Sequence, residues 1–162
     1  MDTERDAFVS SLQKFTQIII SGNGPLREIK EKNLECIRKL LELATYDGNF
    51  LRKSWYYVLD CVSKIDYMYV LGTGAMRDQD FFNSSIGKKQ NNPTLQRKIE
   101  REQMLHHNSQ LIVQNIDMSK IDLIIQKTVQ LEPEAIIDFI TALIQVSSEE
   151  LKDLENPRKF SL

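Results

Sequence analysis

Apolar side chains recur every three or four residues along most of this chain, and this spacing constrains its fold more than any other sequence feature. Such spacing gathers apolar residues on one face of an α-helix, whereas a half-buried strand alternates apolar and polar residues. No strand pattern competes with it. The stripes include Phe8, Leu12, Phe15 and Ile19; Ile29, Ile37, Leu40, Leu41 and Ala44; Leu51, Trp55, Leu59, Val62 and Ile65; Leu95, Ile99, Leu105, Leu111 and Ile112; Ile121, Ile124, Ile125 and Val129; and Ile136, Phe139, Ile140, Leu143 and Ile144. We therefore predict an all-α fold.

Turn and cap residues divide these stripes into individual helices. The cluster at 21–24 predicts the end of the first helix, Pro25 the start of the second, and Ser147 with Glu150 a capping box for a last short helix. About six or seven helices with short connections are typical of stacked antiparallel pairs, as in HEAT or armadillo repeats. We expect a single domain over residues 1–162, interrupted by a flexible loop at 75–93 that lacks helical periodicity.

Composition and charge exclude several classes of protein. The chain has 21 basic and 23 acidic residues, a net charge of −2, which argues against a general nucleic-acid binder. Its two cysteines, Cys36 and Cys61, fall in helical patterns and indicate free thiols in a reducing compartment rather than a disulfide. No apolar run approaches the roughly 18 residues of a membrane span, and the polar start does not resemble a signal peptide. We expect a soluble intracellular protein or a fragment, with the apolar end at 160–162 suggesting a truncation.

Candidate catalytic and metal sites are poor. His106 and His107 are adjacent, so in a helix they point about 100° apart and cannot share one metal ion. Cys36 has no histidine at a recognisable catalytic spacing. The Gly72-Thr73-Gly74 segment lacks the preceding strand and the lysine of a phosphate-binding loop. The residues predict no catalytic, cofactor or metal site and indicate a helical interaction domain.

Several surface features each allow two interpretations. The charged side of the second helix is either a solvated face or a contact surface, and Trp55 is either a core residue or a partner-facing anchor. The predicted loop carries Phe81, Phe82, Lys88 and Lys89, a mixture expected where a protein meets lipid, although a connection without function is the favoured interpretation. The basic start of the fourth helix, with Arg97, Lys98 and Arg101, offers a second place for lipid contact.

Three collinear blocks of this sequence carry a family resemblance. They are Glu4 to Val9 continuing to Phe15-Thr16; Ile29 through Asn33 to Ala44, then Asp47 to Leu51, Ser54-Trp55 and Leu71 to Gly74; and Ala135 to Ile140, Leu143, Val146-Ser147, Glu149 to Leu151 and Asn156 to Leu162. In this order they resemble the large Arf guanine-nucleotide exchange factors of the trans-Golgi, the Sec-seven/BIG class. The match is to the first homology region downstream of the catalytic domain and covers nearly the whole chain except about residues 75–108.

The resemblance implies a regulatory role without exchange activity, because the family's catalytic glutamate loop is absent from this sequence. It implies that the region inhibits the neighbouring catalytic domain and binds membrane-anchored, GTP-loaded Arf, which recruits the factor to the trans-Golgi network and relieves the inhibition. Partners are then Arf, neighbouring domains of the same chain and Golgi lipids, with no cofactor. The alternative is an intramolecular scaffold, or a lipid-binding domain, with no direct GTPase contact.

We predict a partner contact on the polar side of the second matched block. Its members are Lys30, Lys32, Asn33, Asp47, Asn49 and Trp55. Asn33 and Asp47 could equally satisfy backbone amides at turns between helices. We predict a membrane contact at Phe81, Phe82, Lys88 and Lys89.

Overall fold

A computed structural model describes residues 2–22, 24–74 and 93–152 of the chain, and within these ranges all regular structure is helical. Six helices have nine residues or more, which confirms the all-α prediction. The elements are α1 (Asp2–Phe15), α2 (Glu31–Tyr46), the single turn α3 (Gly48–Leu51), α4 (Trp55–Gly72), α5 (Pro93–Asn115), α6 (Ser119–Lys127) and α7 (Pro133–Lys152), with 3₁₀ turns at Arg52–Ser54 and Thr128–Gln130. No helix in these ranges is both long and apolar enough to cross a bilayer.

Helix α4 is the centre of the fold, because apolar residues cover most of its circumference. It packs against α5, α7, α1 and α2, and Val58, Leu59 and Ile65 are completely buried in it. The Trp55 ring meets the Phe139 ring of α7 edge-on, with centroids 5.0 Å apart. Helix α6 packs against α2, which also contacts α1. The fold therefore places α1, α2, α5 and α7 around α4, with α6 packed on α2.

Two predicted helix starts are wrong, and each error has a physical cause. The second helix begins at Glu31 rather than Pro25, because residues 25–30 are irregular and their backbone is hydrogen-bonded to α5. There is no separate short helix at Ser147, since α7 continues from Pro133 to Lys152. Glu150 faces inward, where Ser63 of α4 donates a hydrogen bond to its carboxylate. The apparent capping box thus lies inside a longer helix.

The predicted apolar stripe of the first helix is also misplaced. Helix α1 ends at Phe15, so Ile19 lies outside it. Phe8 and Phe15 are exposed, and the buried side of α1 carries Val9 instead. The flexible-loop prediction falls on residues 75–92, which lie outside the described residues, together with Phe81, Phe82, Lys88 and Lys89.

Candidate partner-binding surfaces

The predicted partner-contact residues separate into two groups at opposite ends of α2. Lys30, Lys32 and Asn33 lie at its amino-terminal end, whereas Asp47, Asn49 and Trp55 lie beyond its carboxyl-terminal end. Helix α2 has 16 residues, so at 1.5 Å per residue the groups are about 24 Å apart. The fold does not bring the six residues into one patch.

At the amino-terminal end, the two lysines are exposed and Asn33 is structural. Asn33 is 2% exposed, its Oδ1 accepts a hydrogen bond from the Lys30 N–H at 2.8 Å, and its Nδ2 donates to the Phe15 carbonyl at 2.7 Å. It therefore caps α2 and ties it to the end of α1. Neither Lys30 nor Lys32 makes an ion pair with any described residue. A partner at this end would meet the lysines.

The segment between α1 and α2 is irregular but firmly held by α5. Asn108 is 3% exposed; its Oδ1 accepts from the Ile29 N–H and its Nδ2 donates to the Arg27 carbonyl, both at 2.9 Å. Arg101 donates to the Gly24 carbonyl at 2.6 Å and to the Ile20 carbonyl at 3.3 Å. The Arg101 side chain therefore holds the backbone of this segment. The sequence analysis did not predict these structural roles of Asn108 and Arg101.

Two shallow cavities flank this segment and share two lining residues. The first, about 470 Å³, is lined by Gln13, Lys14, Gln17, Ile18, Ile19, Pro25, Arg27 and Lys64. The second, about 410 Å³, is lined by Gln17, Arg27, Glu28, Lys30, Lys32 and Asn33. Gln17 adopts a left-handed backbone conformation with φ 53°, which turns the chain sharply after α1. The junction of α1 and α2 thus presents one continuous concave surface.

At the other end of α2, Trp55 and Asn49 serve the fold. Trp55 is 1% exposed and its Nε1 donates to the Gly48 carbonyl at 3.1 Å. The Oδ1 of Asn49 accepts from the Glu132 N–H at 2.8 Å, which joins this turn to the start of α7. Asp47 is exposed, and its own N–H donates to the Leu43 carbonyl at the end of α2. Trp55 is therefore a core residue, the first of the two interpretations that the sequence allowed, and its side chain is not available to a partner at the surface.

Helix α7 is apolar on two opposite faces. Its inner face packs on α4, where the Tyr56 hydroxyl donates to Glu149 at 2.9 Å and burial raises the pKa of Tyr56. Its outer face is exposed by 48% to 65% at Ile137, Ile140, Ile144 and Leu151. A helix with apolar residues on two faces is typical of the interior of a larger assembly.

Groups with catalytic or ligating potential stay dispersed. Among the described residues, no three His, Cys, Asp or Glu side chains are grouped closely enough to hold a metal ion. His106 contacts Gln110 while His107 contacts Glu28, so the two imidazoles have different partners. Burial raises the pKa of Cys61 to about 12 and also raises that of Cys36, which disfavours a thiolate nucleophile.

Comparison with known proteins relates the whole chain to a small part of very large ones. It is 34% identical over 201 aligned positions to brefeldin A-inhibited guanine nucleotide-exchange protein 3 of Arabidopsis thaliana, and 28% identical over 178 positions to human brefeldin A-inhibited guanine nucleotide-exchange protein 1. This chain is homologous to a segment of the brefeldin A-inhibited exchange proteins. The match covers 100% and 98% of the chain but only 11% and 9% of these exchange proteins. No family model and no solved structure matches the chain.

Proposed function

We propose that this chain is a non-catalytic regulatory domain of a large Arf exchange factor. It inhibits the neighbouring catalytic domain and binds GTP-loaded Arf on the trans-Golgi membrane, which recruits the factor from the cytoplasm and relieves the inhibition. The observation that carries this proposal is the match of the entire chain to exchange proteins of which it spans only about a tenth.

The contact with Arf is proposed at the amino-terminal end of α2. Lys30 and Lys32 are exposed and unpaired among the described residues, and the backbone beside them is fixed by Asn33 and Asn108. A fixed backbone lowers the entropy lost on binding. Asp47 is also exposed, but it lies at the opposite end of α2 and needs a separate contact.

Differential affinity makes such a contact regulatory. Arf must bind the released arrangement of the factor more tightly than the inhibited one, and a coupling of about 1–3 kcal/mol gives roughly 5–150-fold activation. Because Arf is anchored to the membrane, a factor held near that membrane meets it at high effective concentration. A weak contact at two lysines is then sufficient.

The test is capture of the chain by Arf loaded with GTP or GDP. We expect preferential capture by the GTP form, and a loss on the order of tenfold in the K30E/K32E double variant, since two charges are reversed at the contact. The matched control K53E/K120E reverses two exposed lysines outside this surface. Equal capture by both nucleotide forms contradicts the proposal, as does full binding by K30E/K32E with an unchanged helical circular dichroism spectrum.

The outer face of α7 favours a second candidate function, an intramolecular scaffold. Its exposed residues Ile137, Ile140 and Ile144 have the spacing that a neighbouring helix buries. In this case the chain binds other domains of the factor with no dependence on nucleotide. The variant I140S/I144S should abolish that binding, whereas V129S, at an 83% exposed residue off α7, should preserve it. Unchanged binding by I140S/I144S contradicts the scaffold.

A further inference from the structure

We propose that the first junction cavity is a contact site for anionic membrane lipids. We call it the junction surface and define it by Lys14, Gln17, Ile19, Pro25 and Arg27. It adjoins the proposed Arf contact, because Gln17 and Arg27 also line the cavity that contains Lys30 and Lys32. The inference deepens the proposed function, since a domain that binds membrane-anchored Arf here would face the bilayer.

The charge of the junction surface is positive and available. Lys14 and Arg27 are exposed, and neither makes an ion pair with a described residue. Lys64 also lines the cavity, but its ammonium is 2.6 Å from the buried Asp60 carboxylate and is already neutralised. Among the residues that the structure describes, none of those lining this cavity carries a carboxylate. Each basic side chain close to an anionic leaflet strengthens membrane binding about fivefold.

Apolar side chains beside these charges favour a membrane over an acidic protein segment. Ile19 lines the cavity and is 52% exposed, and Pro25 beside it is also exposed. Phe15, the next residue after Lys14, is 62% exposed. Apolar side chains at a lipid interface enter the region between headgroups and acyl chains while basic residues remain at the phosphates. An acidic peptide would use the charges and leave the apolar groups in water.

The backbone of the junction surface is already ordered before any ligand arrives. Arg101 holds the carbonyls of Ile20 and Gly24, and Asn108 holds the backbone of Arg27. Ile18 and Ile20 are buried on either side of Ile19, so the segment is anchored with Ile19 pointing outward. A flexible loop loses conformational entropy when it becomes ordered on binding, and this segment loses little because it is already ordered in the folded chain.

Vesicle flotation of the 162-residue chain, with Arf absent, tests the inference. We expect the chain to float with phosphatidylcholine vesicles that contain phosphatidylserine, but not with phosphatidylcholine alone, and to dissociate at high salt. The variant K14E/R27E should lose at least tenfold in partitioning, and I19S should also weaken it. The controls K53E/K120E and F50S reverse two exposed basic residues and remove one exposed apolar side chain elsewhere, and they should bind as the wild type does.

Three results overturn the inference: no partitioning to anionic vesicles, equal partitioning of K14E/R27E, or capture of the chain by polyglutamate without vesicle binding. The last would assign the junction surface to an acidic protein segment. Capture by GTP-loaded Arf in the absence of vesicles measures the proposed function alone. A chain that binds Arf but not vesicles therefore overturns only the lipid site, and one that binds vesicles but not Arf overturns only the proposed function.

Discussion

Replacing Asn108 with alanine tests whether α5 holds the irregular segment between α1 and α2. Asn108 is 3% exposed and makes two hydrogen bonds of 2.9 Å, one with the Ile29 N–H and one with the Arg27 carbonyl. Ile29 is itself 3% exposed, so its N–H would stay buried without a partner. A net hydrogen bond contributes about 1 kcal/mol and an unsatisfied buried donor costs about 1–3 kcal/mol. We expect N108A to lower the free energy of unfolding by about 2–4 kcal/mol.

Urea unfolding followed by circular dichroism at the helical band measures this loss. With an m-value of about 2 kcal/mol per molar urea, the midpoint should fall by about 1–2 M. The control N115A removes an exposed asparagine whose side chain bonds only within α5, and it should change stability by less than about 0.5 kcal/mol. N108D should not rescue stability, because a carboxylate cannot donate to the Arg27 carbonyl. A midpoint for N108A equal to that of N115A would refute the reasoning.

Two further predictions concern packing and thiol chemistry. A Cβ at Gly72 would lie 2.7 Å from the Ser109 carbonyl oxygen, so G72A should separate α4 from α5 and lower the free energy of unfolding by about 1–3 kcal/mol. The control G24A places its Cβ in open space and should leave the melting temperature unchanged. Equal melting temperatures for G72A and G24A would contradict the close packing of α4 on α5. Cys61 is buried and its pKa is raised, whereas Cys36 is partly exposed. A thiol reagent at pH 8 should therefore modify only Cys36 in the native chain and both thiols after unfolding. Rapid modification of Cys61 in the native chain would contradict its burial in a stable core.

The helices were predictable where each one's own residues determine its position. The period of the apolar residues identified α2, α4 and α6 and the burial of Leu40, Leu59 and Ile124. It failed at the end of α6, where Ile125 is exposed and Val129 is exposed beyond the helix. Residues 25–30 could not be assigned in this way, because the side chain that holds their backbone belongs to Asn108, 79 residues from Ile29. The local signal was Asn108, a polar residue between Leu105 and Ile112 on the buried face of α5.

The exposure of some predicted partner-contact residues could be predicted from the sequence, but their positions relative to one another in the fold could not. Exposure of Lys30 and Lys32 follows from the charged side of α2, and the length of that helix already separates them from Asp47. The burial of Asn33 depends on a hydrogen bond to α1, which neither helix reveals alone. Likewise, the junction surface exists only after α1, α2 and the connecting segment are assembled, so its residues formed no sequence motif.

The position of Trp55 makes it an intrinsic fluorescence probe of the contact between α4 and α7. It is the single tryptophan of the chain, and its indole lies between the Gly48 carbonyl and the Phe139 ring of α7. Any event that lifts α7 from the central helix would move water towards the indole and shift its emission to longer wavelength. Detachment of the last described helix can thus be followed in solution, in real time, without a dye or a label.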